Sequence, residues 1–204
     1  MPLIYPIVEG HGEVDAVPLL VRRVLAERLD RHDYQIASGH RVSRGKIAGL
    51  ALGDSLDMTR ALKLARLKIA DVGSGGVIIL LDADGDCPAW LGPALRRRAM
   101  ELTPDLKIEV VVAKEEFEAW LLASVVSLRA CRGVRKNAGP PTDPERIRGA
   151  KEYLEAHVLE PRSTYSPTAD QARMTSMIDL EAVTVASRSF RRFIKAVEQL
   201  ASLA

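Results

Sequence analysis

Val77-Ile78-Ile79-Leu80-Leu81-Asp82-Ala83-Asp84-Gly85-Asp86 is the stretch on which the reading of the fold turns. Val77 to Leu81 is an unbroken apolar run rich in β-branched residues, the pattern of a strand buried on both faces. It passes directly into three aspartates spaced by small residues. In an open parallel sheet, ligands bind beyond the carboxyl ends of the strands. A buried strand that ends in carboxylates therefore delivers charge to that edge.

The neighbouring segments fit a sheet of this kind. Upstream, Leu56, Ala61, Leu62, Leu64, Ala65 and Ile69 have helical spacing up to about Asp71, with Asp54 as a candidate cap and Gly73 to Gly76 as the stop. Downstream, Pro88 to about Leu102 reads as a helix, Ile108 to Val112 as a third buried strand, and Glu115 to Ala123 as helical. At the start of the chain, Leu3 to Val8 reads as a buried strand ending at Glu9-Gly10. Glu13 to Arg31 follows with a helical stripe of Val17, Leu20, Val21, Val24, Leu25 and Leu29. Pro18 falls in its first turns, where the missing N–H is least costly. Tyr34 to Ser43 is a weaker strand and loop, broken at Gly39. Strands alternating with helices of this length predict an α/β protein, a small parallel sheet sandwiched between helices.

Residues 131–145 are polar and rich in Gly and Pro, which marks an edge of the core unit. The sequence thus predicts an α/β core over 1–130 and a helical C-terminal extension over 131–204, packed together as one compact domain. The extension carries helical patterns at about Pro144 to His157, Thr168 to Met174, around Leu180, and Phe190 to Leu203.

Composition narrows the class. The 204 residues are 47% hydrophobic and 27% charged, values of an ordinary globular chain rather than a disordered one. A net charge of +2 neither requires nor excludes nucleic acid. Basic residues gather at Arg96 to Arg98, Arg129 to Lys136 and Arg188 to Lys195. Cys87 and Cys131 have no zinc or redox spacing, and a reduced, cytoplasmic setting is expected. No signal peptide or membrane-spanning run is predicted. An aromatic content of 4% argues against a surface that grips single strands by base stacking alone.

Three acidic groups follow predicted strands: Glu9, then Asp82, Asp84 and Asp86, then Glu115, Glu116 and Glu118. Carboxylates crowded at one sheet edge repel one another and take up protons unless a cation sits among them. Oxygen donors suit Mg²⁺ or Mn²⁺, with Ca²⁺ also open. Glu13, at a helix start, gains from the helix dipole, although a glutamate there is equally a capping device. The run DADGDCPAWLGP lacks the closing glutamate of a calcium-binding EF-hand loop. A phosphatase reading, with Asp82 as nucleophile and Asp84 as general acid, stays open.

The segment VEGHGE at Val8 to Glu13 resembles the VEGxxE opening of Toprim domains in nucleases of the overcoming-lysogenization-defect (OLD) type, and LLDAD at Leu80 to Asp84 resembles their DxD segment. LLDADGDCP, KEEFEAWLLAS, GAKEYL at Gly149 to Leu154 and SRSFRRFIKAVEQL complete a resemblance to the Toprim-like DUF4276 family along almost the whole chain. The resemblance implies a Toprim fold and a metal-dependent phosphodiesterase, a nuclease on DNA or RNA. It implies Glu9 as metal ligand or general acid/base, Glu13 as the second glutamate, and Asp82 and Asp84 as metal ligands. It also implies an ATPase partner in a bacterial defence-type system. The sequence has no GxxxxGK[ST] phosphate loop, so that ATPase is a separate protein. A non-catalytic metal-binding subunit of such an ATPase is the alternative.

Asp86 and Glu118 extend the expected ligand set, with Glu115 beside Glu118 on one helical face. Lys151 either neutralises charge at a scissile phosphate or pairs with Glu155 at i+4. Arg41, Arg44 and Lys46 fall on a predicted loop, either solvated or touching phosphate. Trp120 reads as packing, His11 as a turn residue and Cys87 as structural.

Overall fold

In the computed structural model, which describes residues 1–202, the centre is a five-stranded sheet with every pairing parallel. The strands are β1 (Leu3–Val8), β2 (Gln35–Ile36), β3 (His40–Arg41), β4 (Gly75–Asp82) and β5 (Lys107–Ala113). The order is β2-β1-β4-β5, with β3 pairing β1 farther along the same side as β2. Val8 lies opposite Leu80 and Asp82 opposite Ala113, so β1 and β4, the two central strands, finish close together.

Ten α-helical segments are described: α1 (Glu13–Leu29), α2 (Arg44–Leu52), α3 (Leu56–Val72), α4 (Pro88–Leu102), α5 (Glu118–Ala123), α6 (Val125–Leu128), α7 (Ala150–Tyr153), α8 (Ala172–Thr175), α9 (Leu180–Ala186) and α10 (Arg188–Ala201). Two π-helical turns, Leu154–Val158 and Pro167–Gln171, adjoin α7 and α8.

The two-residue period of a strand sorts the core into two layers. Ile4, Val8, Ile78, Leu80, Val111 and Ala113 point to one face and pack with α1 and the helices after β5. Tyr5, Ile7, Ile79, Leu81, Val110 and Val112 point to the other and pack with α2, α3 and α4. Both faces are covered, which is why the strands read as continuous apolar runs rather than alternating ones. Residues beyond 130 supply much of the first layer, among them Leu154, Phe190, Phe193 and Val197.

Three expectations change. Arg44 and Lys46 do not lie in a loop; they belong to α2, a helix of nine residues with glycines at 45 and 49 and no clear apolar stripe. Ser55, not Asp54, caps α3, its hydroxyl accepting from the Met58 N–H at 3.4 Å. The helix after β5 starts at Glu118 rather than Glu115, because Glu115 takes a left-handed backbone with φ 59°.

Candidate metal centre

Glu9 follows β1 and Asp82 closes β4, so the adjacency of these strands sets the two carboxylates side by side. The turn Gly10 to Gly12 then folds the chain back and places Glu13 as the first residue of α1. This turn presses on the C-terminal half: a Cβ at Gly12 would overlap the Pro167 carbonyl and the Gln171 side chain. One carboxylate oxygen from each of Glu9, Glu13 and Asp82 lies within 4.8 Å of the others. Glu13 is 3% exposed and Asp82 4%, while Glu9 is partly open.

Main-chain donors hold all three. Glu13 Oε2 accepts from the N–H groups of Glu9 and Gly10, each at 3.1 Å. Glu9 Oε2 accepts from the Asp82 N–H at 3.2 Å, and Asp82 Oδ1 from the Phe117 N–H at 2.7 Å. Among the described residues, no hydrogen bond reaches the second oxygen of any of the three.

The charges oppose one another. Burial, reinforced by Asp84, pushes Glu9 up to about 7. Burial, with Glu9 and Glu118 adding, pushes Glu13 up to about 7. Burial and the charges of Glu13, Glu9 and Glu118 hold Asp82 well above the ordinary aspartate range. Such a cluster keeps protons at neutral pH unless positive charge enters it.

Behind the three stands Glu118, fully buried. Its Oε1 accepts from the Tyr165 hydroxyl at 3.0 Å and from Gln171 Nε2 at 3.2 Å. Its Oε2 has no hydrogen bond and faces Lys151 Nζ at 3.8 Å. Lys151 is also 3.6 Å from Glu116, so it is not the partner of Glu155, which instead accepts from the Tyr165 N–H. Burial pulls the Lys151 pKa down, but Glu118, Asp82 and Glu116 outweigh it and hold the ammonium above the ordinary lysine value. Tyr165 and Gln171 carry no sequence signal, since each reaches Glu118 across about fifty residues of chain.

Other expected ligands lie outside this group. Left-handed Asp84 (φ 47°) and Gly85 (φ 90°) turn the chain outward after β4. Arg44 then binds Asp84 at 3.0 Å and Asp86 at 2.5 Å, and donates to the carbonyls of Asp82 and Ala83. Asp84 is close enough to raise Glu9, yet both exposed carboxylates are engaged by this guanidinium. Glu115 pairs with Lys114 rather than sharing a helical face with Glu118. His11 is an exposed turn residue, and Trp120 is fully buried packing whose Nε1 donates to Ser189 Oγ at 2.8 Å. Cys87 is exposed and so does not serve the core.

A parallel sheet with buried carboxylates converging beyond its two central strands defines an α/β protein with an acidic cluster that could hold a metal ion. Residues 8–198 match the family model described as a domain of unknown function, DUF4276, and the chain belongs to that family. No curated protein and no solved structure matches it. Among the described residues, no helix is long and apolar enough to cross a membrane.

Proposed function

We propose that this protein is a Toprim-like, metal-dependent phosphodiesterase acting on nucleic acid, with Mg²⁺ or Mn²⁺ held by Glu9, Glu13 and Asp82. One observation carries the reading. Each carboxylate has one oxygen tied to a backbone N–H and the other without a hydrogen bond, and the three come together. Calcium prefers about six to eight oxygens, more than this group supplies, so the smaller ions are the better fit. A bound ion of this type polarises a phosphoryl oxygen and lowers the pKa of water.

The chain's own residues do the rest. Glu9, the most open of the three, is the group to take a proton from attacking water. Glu13 holds the Glu9-Gly10 turn in place through its two main-chain bonds. Lys151 faces developing negative charge from behind Glu118. Asp82 as a phosphatase nucleophile is less favoured, because it is buried and its Oδ1 is bound by Phe117.

A second reading rests on Arg44. With Asp84 and Asp86 engaged by it, the remaining carboxylates suit a single ion, as a non-catalytic subunit of a separate ATPase would need. Calorimetric titration of Mn²⁺ into wild type and Asp82→Asn, with plasmid and single-stranded DNA incubations alongside, separates the two. Binding and cleavage that both vanish in the variant support the phosphodiesterase. Binding without cleavage supports the subunit, and no binding by the wild type overturns both.

A further inference from the structure

We propose that the free edge of β5 docks an acidic, extended segment of a partner protein, which adds to the sheet as a further strand. β5 pairs only with β4 and ends the sheet. Its other side faces a groove of about 1130 Å³ walled by α4 and α10, with Val110 and Val112 in its floor.

The direction of the backbone groups follows from two bonds. The Ala113 carbonyl accepts from Ala83 N–H, toward β4. Ile108, of the opposite parity, has its carbonyl bound from outside by Arg96 Nε at 2.8 Å. The N–H and C=O groups of Val110 and Val112 therefore point into the groove, and no hydrogen bond among the described residues satisfies them. Val110 and Val112 lie at the foot of the groove, 3% and 5% exposed, and their edge N–H and C=O groups are ones that an added strand can pair.

The edge is closed at one end and open at the other. At the start of β5, Glu109 is clasped by Arg96 from α4 at 3.3 Å and by Arg192 from α10 at 2.6 Å. Beyond that clasp, Val110 and Val112 offer alternating donors and acceptors about 7 Å apart, the repeat of a peptide strand. Phosphate would meet the carbonyls unfavourably, which argues for a peptide over a nucleic-acid strand.

Charge selects the peptide. The acidic groups of the groove are already engaged: Glu109 by its two arginines, Glu101 by Arg98, and Glu145 at the start of α10. Arg97, Arg188 and Lys195 line the groove, are exposed, and have no carboxylate partner among the described residues. A second copy of this chain pairing edge to edge would bring these cations face to face, so the fitting occupant is an acidic partner segment.

The test is fluorescence anisotropy of the full chain with a labelled peptide of about eight residues, alternating threonine and glutamate, within ordinary strand length. The peptide should bind, and methylating alternate backbone amides should weaken it about tenfold or more, because ladder bonds supply the affinity in strand addition. Arg97→Glu with Lys195→Glu should weaken it by about the same factor. Val112→Pro, which removes one groove-facing N–H, should also weaken it, whereas Asp82→Asn should bind normally. No binding of the peptide, equal binding of the methylated peptide, or binding of a single-stranded oligonucleotide in preference overturns the proposal. So does a concentration-dependent dimer that Val112→Pro dissolves.

Discussion

Glu13 is buried, while the proposed role as a metal ligand requires it to be charged, and those demands conflict. Its Oε2 is well supplied by two N–H donors, yet its ionisation is opposed by burial and by Glu9. Glu13→Gln keeps an acceptor for the Glu9 and Gly10 amides and removes the charge. Without divalent ions, the variant should be more stable than the wild type at neutral pH by about 1 kcal/mol, while losing any stabilisation by Mn²⁺. Thermal melts with EDTA and with Mn²⁺ measure both effects. The same conflict fixes a pH dependence. Glu9 and Glu13 sit at about 7 in the folded chain against an ordinary 4.5, so the folded state binds the extra protons. That contribution is complete below about pH 4.5 and is lost as pH rises through about 7. With EDTA, the melting temperature should therefore fall between about pH 5.5 and about pH 8, and Mn²⁺ should flatten the decline. An unchanged melting temperature across that window would refute the assignment. Glu9, Glu13 and Asp82 were legible in the sequence because each sits at the end or start of a strongly patterned element. Arg44, Tyr165 and Gln171 were not, because their roles come from contacts that chain spacing does not encode.

At the scale of elements, the long apolar strands and the helices α1, α3 and α4 follow from periodicity, whereas α2 does not. It is short, holds two glycines and buries only Ile47 and Leu50, so propensity and pattern both point away from a helix. Its placement matters, because α2 carries the arginine that binds the loop after β4. The two glycines of interest behave oppositely. Gly12→Ala should cost about 1–3 kcal/mol, since its methyl meets backbone at Pro167 that cannot easily retreat. Gly49→Ala, inside α2 with open space around it, should gain about 0.5–1 kcal/mol. Chemical denaturation of the two variants checks the contrast, and equal effects would contradict the packing at the Gly10–Gly12 turn. The helical patterns at about Pro144 to His157 and Thr168 to Met174 do meet helical structure, but the π-helical form of Leu154–Val158 and Pro167–Gln171 has no signal over stretches of five residues.

Across the whole molecule, the helical part beyond residue 130 supplies about half of one of the two core layers. Trp120 packs in tilted or edge-to-face geometry against Phe117 from its own segment and against Phe190 and Phe193 of α10, with ring centroids 5.0 to 5.5 Å apart. Truncation after residue 130 should expose that face of the sheet and give an aggregating fragment without a cooperative melt, detected by calorimetry and dye binding. A fragment that melts cooperatively would instead show the first 130 residues to be self-sufficient. Trp120→Ala in the full chain should cost about 3–5 kcal/mol. The sequence located this half as helical but not its depth of engagement, which depends on side chains meeting across the layers.

The main-chain tethers on Glu9, Glu13 and Asp82 have a consequence for kinetics and heat. A free glutamate side chain has about 1.5–2 kcal/mol of rotamer entropy to lose on being fixed. Here that loss falls on the folding reaction, before any ligand arrives. Under the proposed metal-binding reading, a cation would meet preorganised oxygens and its capture would need no search among rotamers.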